Sequence, residues 1–174
     1  MTEPSLEQFK AAVLPHLDAA YNLARWLTRH EHDAQDIVQD AYLRAWKAFG
    51  EFHGGDSRAW LLTIVRNACY TLHRSNRRHA ADPMPDEDDS IVGSDAWDPA
   101  EMLLQRVDAQ TVRQAIEEMP SEFREVLVLR ELEGLSYKQV AAVTGAPMGT
   151  VMSRLARARA RLHELLLERM PEEA

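Results

Sequence analysis

With 174 residues, 45% of them hydrophobic, the chain holds apolar material for one ordinary domain or two small ones. It carries a formal net charge of −8, yet that charge is segregated along the sequence, and segregation says more about partners than the total does. Cys69 is the only cysteine, which excludes an internal disulfide and any cysteine-rich zinc site; without a long apolar run or signal peptide, the expectation is a cytoplasmic protein with no membrane insertion.

Periodicity and stop signals predict helices at about Leu6 to Leu14, His16 to Arg29, Asp33 to Phe49, Arg58 to Arg74, Pro99 to Met119, Glu122 to Glu133, Tyr137 to Thr144, and onward from Pro147. Strand-like alternation and solenoid repeats are absent. In the third helix Asp33 is the expected N-cap, and Ala34, Ile37, Val38, Ala41 and Ala45 form a core face. Opposite them Asp36, Gln39, Asp40 and Lys47 surround Leu43. An apolar residue among charges belongs either to an ordinary solvated face or to the centre of a protein contact.

The fourth helix is expected to bury Leu61, Ile64, Val65, Ala68 and Leu72. Arg66, Tyr70, His73 and Arg74 fall opposite, Thr63 and Asn67 flank them, and Arg77 follows just beyond the helix. Cations for phosphate, a ring for stacking and an amide for a base edge together suit single-stranded nucleic acid. A tyrosine lying over its own surface is the plainer reading of Tyr70.

From Arg58 to His79 the formal charges, on Arg58, Arg66, Arg74, Arg77 and Arg78, are all positive. From Ala80 to Glu101 they are all negative, and the stretch ADPMPDEDDSIVGSDAWDP has several prolines and no helical period. It reads as a linker with poor means of folding alone, leaving two all-helical domains on a charged tether.

Near the C-terminus, LSYKQVAAVTGAPMGTVMSRLARARARL divides into two helices. Ser136 and Gln139 have capping-box spacing, Gly145 supplies the left-handed residue that closes the first helix, and Pro147 suits the start of the second. Ala141 and Gly145 stand where the helices are expected to approach closely. On the second helix Val151, Leu155, Ala158, Leu162, Leu165 and Leu166 share one side; Thr150, Ser153, Arg154, Arg157 and Arg161 gather on the other. This is a helix-turn-helix pattern, with hydroxyl and arginine side chains for base edges and later arginines for phosphate. The alternative is a helical hairpin with a solvated basic face.

Catalytic signatures are missing: there is no GxxxxGK phosphate loop, nucleophile elbow or helical His-Glu-x-x-His. His30 and His32 flank Glu31, but alternate positions on a helix point apart, so no metal and no cofactor is expected.

Three blocks taken together, DAQDIVQDAYLRAWKAF, RAWLLTIVRNAC and MPSEFREVLVLRELEGLSYKQVAAVTGAPMGTVMSRLARARARL, closely resemble the bacterial extracytoplasmic-function (ECF) sigma factors, in the family's order and with a tether between the second and third. The resemblance runs from about Phe9 to Leu166. It implies an all-α fold: a sigma region 2-like bundle over residues 1–76, an acidic flexible linker over 77–98, and a region 4-like helix-turn-helix domain over 99–174. It implies core RNA polymerase as partner through Asp36, Gln39, Asp40, Leu43 and Lys47. The promoter −10 element would be met by His53, in a Gly50 to Asp56 loop that captures a flipped base, and by Arg66, Asn67, Tyr70, Arg74 and Arg77. The −35 element would be met by Thr150, Ser153, Arg154, Arg157 and Arg161. An anti-sigma protein is implied as inhibitor, with the free chain a monomer. Two positions depart from many relatives: Thr71 stands where an acid is common, and Met152 where a base is.

Energetics fits this arrangement. Flipping a base costs a few kcal/mol, which a protein without an energy source recovers by binding the extruded base and strand. From Asn76 to Asp98 the tether spans at most about 75 to 80 Å, over two turns of duplex. A dimeric helix-turn-helix regulator with an N-terminal sensor domain is the main rival, and a metal-dependent enzyme built on the His and Asp residues a remoter one.

Overall fold

The computed structural model describes residues 5–77 and 108–169. The acidic linker and the first part of the helix expected from Pro99 to Met119 lie outside the described residues; the expectation of one continuous helix is corrected, because Asp108 is extended, φ −71° and ψ 158°, and caps a helix that begins at Ala109. Within them every regular element is helical, and the chain falls into two compact units, the first carried mainly by α1–α4 and the second mainly by α5–α8.

In the first unit α1 spans Leu6–Val13, opened by a capping box in which Ser5 Oγ accepts from the Gln8 N–H while the Ser5 N–H donates to Gln8 Oε1. Pro15 turns the chain through a 3-10 turn, Leu14–His16, into α2, Leu17–Thr28. Arg29 closes α2 in the left-handed conformation, φ 63°, and its N–H donates to the Arg25 carbonyl at 3.0 Å, while the Thr28 hydroxyl bonds back to the Ala24 carbonyl at 2.8 Å. The third helix, α3, spans Glu31–Ala48. Its N-cap is His30, without a side-chain cap, so the expectation of Asp33 as cap is corrected: Asp33 lies inside the first turn, where its charge favours the positive helix end. A 3-10 turn, Phe49–Glu51, leads towards α4, Ser57–Arg77. Arg77 is therefore part of this helix rather than just beyond it.

Helices α2, α3 and α4 pack mutually, with α1 against α4. Ala20, Ala24, Ala34, Ala41 and Ala45 are fully buried, small side chains that let helices approach, and Val13, Leu23, Leu61, Leu62 and Val65 fill the remaining space. The α3 core face is as expected. On α4 the buried set is Ala59, Leu61, Leu62, Val65, Ala68 and Cys69, while Ile64 and Leu72 are only half-buried. Packing against both α2 and α3 gives α4 a core face wider than one stripe.

In the second unit α5 spans Ala109–Glu117, capped by Asp108, whose Oδ1 accepts from the Thr111 N–H at 2.8 Å. That bond holds the Asp108 carboxyl below its usual range. Next comes α6, Ser121–Leu127, continued by a π turn, Val128–Leu132. Arg124 of α6 is buried and donates to three carbonyls at the end of α5, those of Ile116, Glu117 and Met119, at 3.3, 3.2 and 2.6 Å. One guanidinium thus gathers three carbonyls where the helix ends, adding to the backbone bond that Ile116 already accepts from the Met119 N–H. The last two helices are α7, Tyr137–Thr144, and α8, Met148–Arg169. All six residues of the expected α8 core stripe are buried, and α8 packs along α6 and α5.

Candidate functional site

Leu43 is 58% exposed, and it stands on the rim of an apolar groove of about 760 Å³ between α1, the following turn, α2 and α3. Leu14, Leu17 and Trp46 line the same groove and are also exposed. Of the five α3 residues singled out in the sequence, Gln39 and Leu43 line the groove; Asp36, Asp40 and Lys47 are exposed on α3 without lining it. Asp40 pairs with Arg44 at 2.8 Å. Tyr42 crosses beneath, its hydroxyl donating to the Val13 carbonyl at 2.8 Å, and burial pushes its phenol up to about 12. Leu14, Leu17 and Trp46 were not singled out from sequence, although Trp46 follows Leu43 at the i, i+3 spacing that places both on one helix face.

A second face runs along α4. Arg66 lies over the Tyr70 ring, 4.2 Å from its centroid, so cation and ring are already joined. Asn67 and Arg74 are exposed on the same side, and Arg77 belongs to the same helix. Thr71 donates its hydroxyl to the Asn67 carbonyl at 2.9 Å. His53 is exposed in the segment leading into α4, where Asp56 Oδ1 accepts from the Ala59 N–H at 3.0 Å. His16 Nε2 lies 3.2 Å from Ser57 Oγ, and burial followed by the Arg58 charge pushes the His16 imidazole down.

The third face is on α8. The preceding α7 starts with the expected capping box, Ser136 Oγ accepting from the Gln139 N–H at 3.1 Å and the Ser136 N–H donating to Gln139 Oε1 at 2.8 Å. Gly145 follows α7 at φ 72°, with nothing within 4 Å of where a Cβ would stand. Conformation, not a close helix approach, is thus what requires glycine there. Thr150, Ser153, Arg154 and Arg157 are half-buried and Arg161 is exposed, paired with Glu164 at 3.0 Å. Arg159 turns away from this set and donates to Glu131 at 2.9 and 2.5 Å. It ties α8 to the π turn.

Among the described residues no group of three or more His, Cys, Asp or Glu side chains could hold a metal ion, and no helix is long and apolar enough to cross a membrane.

The sigma-70 region 2 model matches residues 12–79 and the sigma-70 region 4 model matches residues 109–162. The RNA polymerase sigma-H factor of Pseudomonas aeruginosa is 35% identical over 151 residues, covering 80% of this chain and 78% of that relative. The chain belongs to the sigma-70 family. Within it the likeness is to the ECF group: the ECF RNA polymerase sigma factor SigE of Mycolicibacterium smegmatis is 28% identical over 172 residues, 99% of this chain and 66% of that relative. Among solved structures, the sigma factor RpoE in complex with the anti-sigma factor NepR from Bartonella quintana aligns with a TM-score of 0.73 at 32% identity, covering 95% of this chain and 100% of that one. The α4 face of this sigma factor and all of the groove except its α1 wall lie within its region 2 match, and α7 and most of α8 within its region 4 match.

Proposed function

We propose that this ECF sigma factor binds core RNA polymerase through the Leu43 face and directs promoter-specific initiation, engaging the separated −10 strand with region 2 and the −35 element with region 4. What carries the reading is the pair of family matches in sigma order, 12–79 and then 109–162. The domains are taken as 1–76 and 99–174, with 77–98 as tether.

The polymerase face is assigned to Asp36, Gln39, Asp40, Leu43 and Lys47, together with the apolar groove that Leu43 rims. An exposed leucine ringed by charges is the pattern of a contact whose centre dries on binding while its rim stays wet. His53, Arg66, Asn67, Tyr70, Arg74 and Arg77 are assigned to the −10 strand: the joined Arg66–Tyr70 pair offers stacking and charge at one place. Thr150, Ser153, Arg154, Arg157 and Arg161 are assigned to −35. These side chains lie outside the buried stripe of α8, half-buried or exposed, which supports a hydroxyl-and-arginine reading face. Held on polymerase, both domains meet DNA at once, so the second contact is effectively intramolecular. The protein supplies binding energy and no catalytic step, works in the cytoplasm, and is a monomer when free. A RpoE at 32% identity was solved with an anti-sigma factor, which supports inhibition of this chain by a protein of that kind.

Reconstitution with core polymerase, followed by sequencing of transcript starts, tests the reading. Starts sharing paired −35 and −10 elements are expected. A chain that ignores polymerase and binds a palindrome as a stable dimer would be a conventional regulator instead.

A further inference from the structure

The segment between α3 and α4 is fastened at both ends and bare in the middle. Upstream, Phe52 stacks on Phe49, ring centroids 6.0 Å and planes 21° apart, and rests against Trp60 of α4 at 4.9 Å and 34°. Phe49 is buried, and it meets Trp60 at 6.3 Å and Phe9 of α1 edge-on at 5.3 Å. The Phe52 N–H also donates to the Phe49 carbonyl at 3.1 Å. Downstream, Asp56 caps α4, and Ser57 meets His16 as described.

Between these fastenings His53, Gly54 and Gly55 are exposed. The glycines sit at φ 88° and 99°, and a Cβ added to either would meet nothing within 4 Å. Packing therefore does little to hold the tip, and its conformation depends on how its ends are held. Of the two holds, the downstream one is a helix cap, whereas the upstream one rests largely on flat rings.

We propose that Phe52, clamped between Phe49 and Trp60, is a positioning residue that fixes the direction in which His53, Gly54 and Gly55 leave the domain, and so sets how selectively the tip takes up an extruded base. This rests on the reading of the loop as the capture site. A tip with a loosened upstream end has more backbone freedom to lose on binding, and ordering about one additional residue weakens capture by about five- to thirtyfold. Edge and face contacts are specific to rings, so the effect follows ring geometry more than apolar volume.

The test uses holoenzyme and the non-template −10 strand of a promoter mapped from its own transcript starts, intact or abasic at the captured position. Wild type should prefer the intact strand. Phe52→Leu, and Phe52→Met as a second ringless variant, should lose about five- to thirtyfold on the intact strand while binding the abasic strand and core polymerase as before. Phe52→Tyr should restore the preference. A full preference in either ringless variant overturns the positioning role. Equal binding of both strands by wild type overturns the capture reading itself and the proposal with it, a result distinguishable because it appears before any substitution is made.

Discussion

Leu43 gives a direct test of the polymerase face. Burying a leucine side chain fully is worth about 1.5 to 3 kcal/mol. With 58% of Leu43 still exposed, complete burial against a partner has about 0.9 to 1.7 kcal/mol left to contribute. Leu43→Ala should therefore weaken assembly by at most about five- to fifteenfold. Leu43→Glu loses the same term and also carries a carboxylate into a drying apolar contact, at an effective cost of several kcal/mol, so roughly a thousandfold loss is expected. Neither change should lower the melting temperature appreciably, because an exposed helix position tolerates alanine and glutamate well. Titrating labelled variants with core polymerase, alongside thermal melts by circular dichroism, separates the terms. Normal affinity for Leu43→Glu would remove Leu43 from the interface, and a fall in melting temperature matching the loss of binding would mean that the leucine supports the fold instead.

Arg154→Ala or Arg157→Ala should cost about 1 to 3 kcal/mol on the cognate promoter and relax discrimination only within −35; binding competition with scrambled DNA checks this, and equal loss on every sequence would reduce either residue to a phosphate contact. Arg29→Gly relieves a left-handed arginine at φ 63° and should stabilise the protein by about 0.5 to 1 kcal/mol, read from denaturant melts; a loss of stability would mean that the arginine side chain outweighs the strain. The His16 imidazole is depressed in the folded state, so the unfolded chain binds more protons just below the ordinary histidine value of about 6.5. Stability from this group is complete above that pH and is lost as pH falls through the folded value; His16→Gln should flatten the profile there, and an unchanged slope would exclude His16 as its source.

How far the sequence discloses the molecule depends on which forces are local. The α8 stripe from Val151 to Leu166 was legible because this helix buries one face at a 3.6-residue period. On α4 the same reasoning overlooked Leu62 and overrated Ile64 and Leu72, because two neighbours cover that helix. Leu43 stood out as an apolar residue among charges, whereas the groove it rims was hidden: Leu14 and Leu17 reach it only because Pro15 breaks the chain between two helices. Arg159 looked like part of the basic run, and its pairing with Glu131, 28 positions away, has no local signal. The π turn after α6 inserts its extra residue without any composition that announces it.

The three carbonyls bonded by Arg124 lie only five to eight positions away in sequence, whereas Arg159 reaches back 28 positions to Glu131 and Arg169 reaches back 51 to Glu118. Closing a short loop costs less entropy than closing a long one, so the order of events in folding follows from these separations. The corner between α5 and α6 can form while the ribosome is still making α8, and the recognition helix docks onto it afterwards. The expected outcome is φ-values high around Ile116 and Val126 and low along α8, the reverse of a unit nucleated by its longest helix, and mutant folding kinetics would check it. The reading element would then be the last to acquire its support and the first to give it up.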